Sequence, residues 1–353
     1  MHKVSFPHFA NYCIPIRYLV ENGLGVEYII PPPMTKRTLE LGTSNSPDYA
    51  CAPFKIHLGC FIEAIEAGAD TLIQVGGACR LGYYGELHEQ ILRDLGFDGR
   101  FINLAKADYT KPKTLYDALK ELNPDMRLKE LARCLLLAKN MVGEMDKHED
   151  YIRKYIGFED DPGLMEEIYE DFLVLLREVR TQKELKGLSQ ELGKQLSAVP
   201  KTIPGHPLRV GVVGEYYSIM DPFSNHDMEI ALAKRGVLVD RWMNVTNSLF
   251  HYDEKDLLPR MKKYTKYNMG ATAMGTVESA LRFAKKGYDG IIHLKSFGCT
   301  PEMDAMPVLQ NISKDYRIPI LYFSFDSQTG DAGIQTRLEA FYDMITMRKE
   351  GAA

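Results

Sequence analysis

Three cysteines, remote from one another in the chain, stand where sulfur could do chemistry. Cys79 follows the apolar run Thr71-Leu-Ile-Gln-Val75 through a glycine turn, Gly76-Gly77-Ala78. Cys299 follows Gly290-Ile-Ile-His-Leu294 through Lys-Ser-Phe-Gly298 in the same manner. Cys51 lies in Asp48-Tyr-Ala-Cys51-Ala-Pro53, just ahead of a helical stretch, and Pro53 suits a first helical turn. A thiol at a helix N-terminus meets unpaired N–H groups and a positive dipole end, and both favour thiolate. Gly77 and Gly298 let backbone approach a bound group closely. Ligands of open α/β sheets bind beyond the carboxyl ends of the strands. If two such edges face each other, the cleft between them is a soft-ligand metal site. Three thiolates there suit either a 4Fe–4S cube with one open iron or a zinc ion with an open position.

The remaining cysteines read differently. Cys60 comes nine residues after Cys51, roughly half a turn out of phase at about 100° per residue, and is expected to be structural. Cys134 lies on an apolar helical stripe and belongs in a core. Cys13 follows the first strand and could lie near the metal centre. Around the cysteines, Arg80 and Lys55 could bind an anion or tune a cluster by charge. Glu302 opens the helix after Cys299, where a carboxylate suits the dipole and could shuttle a proton. Asp326 ends a strand at the same edge. His226, after Asp221-Pro222, is a candidate for acid–base work.

The elements that must position these groups alternate. Val4–Phe9, Val26–Ile30, Thr71–Val75 and Phe101–Leu104 read as strands. Ile14–Asn22, Phe54–Ala67 and Leu87–Leu95 read as helices, the second carrying a Phe54, Leu58, Phe61, Ile62, Ile65 stripe. This is the rhythm of a doubly wound sheet. From Leu115 to Leu196 strand signals give way to helix. Ser197 to Pro207 is a linker. Strands then recur at Leu208–Val213, Val237–Trp242, Gly290–Leu294 and Pro319–Phe325, with helices at Asp227–Arg235, Val277–Lys285 and Ile334–Ile345. The expected organisation is an α/β lobe over 1–114, a helical insertion or bridge over 115–200, and a second α/β lobe over 205–353. The repeated order suggests duplication.

At 353 residues the chain can hold two ordinary cores. Its net charge of −5 gives no basic footprint for nucleic acid. No apolar run reaches membrane-spanning length and none at the start resembles a signal peptide, so a cytoplasmic location is expected. Six cysteines in a chain of this size do not make a disulfide framework. No G-x-x-x-x-G-K-[ST] motif argues for ATP.

Several segments, Cys51-Ala-Pro53-Phe-Lys55, Gly77-Ala-Cys79-Arg80, Phe297-Gly-Cys299-Thr-Pro301-Glu302 and Phe325-Asp326-Ser-Gln-Thr-Gly330, carry a further signal. With Gly333-Ile-Gln-Thr336-Arg337-Leu-Glu339, they make the chain resemble the D-component proteins of the 2-hydroxyacyl-CoA dehydratase family, in its compact single-chain, activase-related branch. The resemblance implies two Rossmann-like doubly wound lobes with a helical insertion between them. It implies a 4Fe–4S cluster on Cys51, Cys79 and Cys299, bordered by Gly77, Gly298 and Arg80. It also implies an ATP-hydrolysing activase of actin-like fold, with its own iron–sulfur cluster, as electron donor. The substrate would be a small molecule such as an acyl-CoA, and the chain could assemble as a homo- or hetero-oligomer. Glu302, Asp326 and His226 are the catalytic candidates. The alternatives are a non-catalytic electron relay, an accessory subunit, or a double-cubane-type reductase drawing on Cys13 or Cys60.

Overall fold

The computed structural model describes residues 2–74, 80–104, 112–250, 254–270 and 272–351. It is a mixed α/β fold with two separate four-stranded parallel sheets and added helices, in keeping with a doubly wound architecture. The chain divides into two compact units. One comprises Met1–Val142 with Leu176–Leu185, the other Gly143–Leu175 with Lys186–Ala353.

The first unit holds β1 (Lys3–Ser5), β2 (Glu27–Tyr28), β3 (Thr71–Gln74) and β4 (Arg100–Asn103), in the order β2-β1-β3-β4. The strands are shorter than the sequence suggests. β1 stops before Pro7, which has no N–H to continue a ladder. The helix expected over Ile14–Asn22 is α-helical at Cys13–Tyr18 and widens to a π-helix over Leu19–Leu24, closed by Gly25 at φ 68°. Helix Ala52–Glu66 is almost wholly buried, which fixes its start at Cys51. A neighbouring helix, Lys36–Ser44, unforeseen in the sequence, crosses it backbone to backbone. A Cβ on Gly42 would lie 1.7 Å from the Lys55 carbonyl, and one on Gly59 1.9 Å from that of Thr38. The mid-helix glycine that weakens helix propensity therefore permits this crossing.

The second unit holds β5 (Leu208–Gly214), β6 (Val237–Arg241), β7 (Gly290–Ser296) and β8 (Ile320–Phe325), in the order β6-β5-β7-β8. The two sheets thus share one strand order. β7 is buried at every residue, as expected of a central parallel strand covered on both faces. β6, at an edge, alternates buried and half-buried. In each sheet the order reverses between the two middle strands, and there the crossover helices diverge to leave a crevice at the carboxyl ends. Among the described residues no helix is long and apolar enough to cross a membrane.

Two buried histidines lock the first unit. The His88 ring stacks on Phe54 at 3.9 Å between centroids and reaches Gln74 Oε1 at 3.1 Å and the Phe54 carbonyl at 3.0 Å. A neutral ring donates once, so the tautomer decides which of the two oxygens takes its N–H. Burial lowers His88 to about 4 and, with His88 adding, His57 to about 3. Because both are depressed, the stability they contribute is present above the ordinary histidine pKa of about 6.5 and is lost as pH falls through those lower values. In proton NMR, neither ring should titrate above pH 5; a midpoint near 6.5 for either would refute this account of the core.

Candidate functional site

The second sheet builds its carboxyl edge from three chain reversals. β5 ends at Gly214, whose φ is 148° and where a Cβ would lie 1.9 Å from the Leu294 carbonyl on β7. Only glycine allows the two middle strands to approach so closely. Glu215 follows, capping the short helix Tyr216–Met220. Its carboxylate accepts from Tyr217 N at 2.7 Å, Ser218 N at 3.1 Å and Ser218 Oγ at 2.5 Å. Burial nevertheless pushes its pKa up, and the Glu302 charge adds to that.

β7 ends in the turn Phe297-Gly298, with Gly298 at φ 77°, and Cys299 then caps the helix Thr300–Tyr316, which has Pro301 in its first turn. Cys51 caps Ala52–Glu66 in the same way, with Pro53 in its first turn. Cys-x-Pro thus puts a cysteine at the N-cap of one helix in each unit. Glu302, one turn into its helix, is fully buried. Its Oε2 takes the His293 Nε2 proton at 2.7 Å, and its Oε1 accepts from Thr272 Oγ1 at 2.5 Å and Thr276 Oγ1 at 3.1 Å. Thr276 also reaches the Gly214 carbonyl at 3.2 Å. Glu302 is therefore engaged inside the protein, where it binds the helix to the sheet.

At the third reversal, Asp326 follows β8 and organises a tight turn, accepting from Gln328 N at 2.9 Å and Thr329 Oγ1 at 3.0 Å. His226 has left-handed backbone, meets Asp331 at 2.5 Å and stacks on Phe325 at 5.7 Å. The structure therefore brings Cys299, Glu302, Asp326 and His226 to one edge of one sheet. In the first unit, the Lys55 ammonium donates to the Asp48 carbonyl at 3.2 Å. Gly77 and Cys79 lie outside the described residues, and of Arg80 only its place at the start of the helix Arg80–Asp94 is described.

The expected 4Fe–4S cluster on Cys51, Cys79 and Cys299 is overturned. Among the described residues no three His, Cys, Asp or Glu side chains group to hold a metal ion. With it fall the iron–sulfur dehydratase or reductase, the electron relay, and the accessory and double-cubane alternatives. The surroundings of the thiols give the physical reason. Cys299 stands near Lys295, whose ammonium it favours electrostatically, and near a carboxylate already saturated by three partners. Neither is a soft donor. Burial pushes the Cys13 thiol up, away from thiolate. Cys60 and Cys134 are core residues, each 1% exposed, as expected for both.

Sequence reasoning missed Lys295, His293 and Glu215. A signal for two of them was present: Gly290-Ile-Ile-His293-Leu-Lys295-Ser296 puts two polar residues, spaced by two, on one face of an otherwise apolar buried strand.

Residues 176–345 match the family model described as 2-hydroxyglutaryl-CoA dehydratase, D-component. The span covers β5 to β8 and every group of the edge just described, and the resemblance seen in the sequence is borne out there. No curated protein matches the chain.

The arrangement separates structural from surface carboxylates. Removing one partner of a buried, bonded pair leaves an uncompensated polar group, so Glu302→Ala should lower unfolding free energy by about 3–5 kcal/mol. Glu339→Ala, which breaks the exposed 2.9 Å pair with Arg235, should cost less than about 1 kcal/mol. Chemical denaturation of the two variants checks this, and equal losses would contradict it.

Proposed function

We propose that this chain, whose residues 176–345 belong to the 2-hydroxyglutaryl-CoA dehydratase D-component family, binds a small acyl thioester at the carboxyl edge of the β5–β8 sheet. One observation carries the reading. The order reversal between β5 and β7 and the head of a 17-residue helix coincide, next to Gly298 and Cys299. At such a head the first N–H groups have no intrahelical partner. Pro301 has none to offer, so Thr300 and Glu302 supply the donors for a carbonyl oxygen. Gly298, lacking a side chain, leaves the approach open. His226 and Asp326, on neighbouring reversals of the same edge, are the titratable groups at its rim.

The family's printed name supplies the class, a 2-hydroxyacyl-CoA. Of the partners the resemblance implies, this small-molecule ligand is the one the edge bears on. The finer fold reading goes with it: two Rossmann-like lobes of one duplicated plan, joined through a helical insertion. The shared strand order of the two sheets supports that reading.

Isothermal titration of the full chain with 2-hydroxyglutaryl-CoA tests the proposal. Saturable binding in the micromolar range is expected, with coenzyme A alone at least ~10-fold weaker, a difference of about 1.4 kcal/mol. Gly298→Val forces a side chain into left-handed backbone and onto the approach, and should weaken binding by ~10-fold or more, with thermal unfolding checking the fold. No binding by the parent chain at millimolar ligand would end the proposal.

A further inference from the structure

The face of β7 and β8 beneath the helix Thr300–Tyr316 has chemistry of its own. Register places His293 opposite Tyr322 and Lys295 opposite Ser324. His293 is accounted for by Glu302, and Tyr322 meets its ring edge-on at 5.5 Å. Lys295 is not accounted for in this way. It is 6% exposed, and its ammonium donates to Ser324 Oγ at 2.7 Å. Among the described residues no carboxylate pairs with it. Ser324 itself is exposed, so the lysine stem runs through the interior and its charge emerges at the lip of the sheet.

A groove of about 430 Å³ opens at that lip, lined by Lys295, Ser324 and Tyr322 from the strands and by Met303, Met306 and Gln310 from the helix. Met303 is 52% exposed. Methionine walls adapt to apolar bodies of differing shape. The cavity thus joins the apolar walls of Met303, Met306, Pro307 and Phe323 to one cation, Lys295, with the Ser324 and Tyr322 hydroxyls and the Gln310 amide. The geometry points to a binding site for a small carboxylate with an apolar body: the carboxylate on the Lys295 ammonium and Ser324 hydroxyl, the body against Met303 and Met306. An ion-paired hydrogen bond at a partly shielded site is stronger than a neutral one, which selects the anion over an alcohol of equal length. A carboxylate without an apolar body forgoes the groove wall. This site stands on residues other than the Gly298 approach and does not require the thioester reading.

Methyl-¹³C methionine NMR of the full chain tests it, using hexanoate, hexan-1-ol and acetate as probes, with Met303→Leu and Met306→Leu assigning the two signals. Hexanoate should shift both methyls saturably, with hexan-1-ol and acetate each at least ~10-fold weaker. Lys295→Met should weaken hexanoate by ~10-fold or more, while Lys295→Arg should stay within ~3-fold, which excludes misfolding as the cause. Equal affinity for hexanoate and hexan-1-ol, an unaffected Lys295→Met variant, or no shift of either methyl would overturn the proposal.

Discussion

The second unit depends on one buried knot, the Glu302 carboxylate held by His293, Thr272 and Thr276. Three elements meet in it: β7 through His293, helix Ala273–Lys285 through Thr276 and its N-cap residue Thr272, and helix Thr300–Tyr316 through Glu302 itself. A charge with no water around it is tolerable only when its lone pairs are met, and here three donors meet them. The knot therefore fixes where the helix begins. That in turn fixes the Gly298 turn, the Cys299 cap and the direction in which the helix-head N–H groups point. Thr276 extends the constraint to the Gly214 carbonyl, so the close approach of β5 to β7 and the start of the helix are set by the same few atoms.

A second buried carboxylate sharpens the point. Glu215 caps its own short helix with three hydrogen bonds, and its pKa is still raised because burial outweighs them and Glu302 repels its charge. Glu215 is thus the carboxyl that carries the strain of their proximity. For Glu215 the linkage runs opposite to that of the first unit's histidines. A raised carboxyl favours the fold below the ordinary carboxylate range and loses that contribution as pH rises through its folded value. Glu215 and the two histidines therefore contribute to the pH dependence of stability with opposite sign.

Much of this was legible in the residues. The described strands overlap the runs read as strands, most fully at β7, where burial on both faces of a parallel sheet leaves a strong imprint. Cys60 and Cys134 were recognisable as core by phase alone. The turns ending in Gly298 and the cap at Cys51 were legible because glycine and proline constrain backbone in known ways. What did not follow was the step from placement to chemistry. Cys51 and Cys299 occupy helix N-cap positions, which local pattern shows without saying what the thiols meet. Three thiols at turn positions do not specify that they share a centre; that is set by tertiary placement, which local pattern does not encode. The crossing of Lys36–Ser44 with Ala52–Glu66 was hidden for a related reason: Gly59 lowers helix propensity locally, and its benefit lies in a contact with a distant segment.

β7 shows how buried polarity can be divided between fold and function. His293 and Lys295 are two residues apart on one face of a strand with no exposed residue. Each should be unfavourable there, since taking a polar or charged group from water costs free energy unless partners replace it. For His293 the replacement is complete in the direction that matters, a 2.7 Å bond to a carboxylate inside the unit. For Lys295 it is one neutral hydroxyl on an exposed neighbour, and burial lowers its pKa even with Cys299 and Glu302 opposing the shift. An aliphatic residue at 295 would pack in the same strand without that cost, so stability gives no reason for lysine at this position. A charge kept at such a cost, with its head at the mouth of an apolar groove, is accounted for by an anion that arrives from outside.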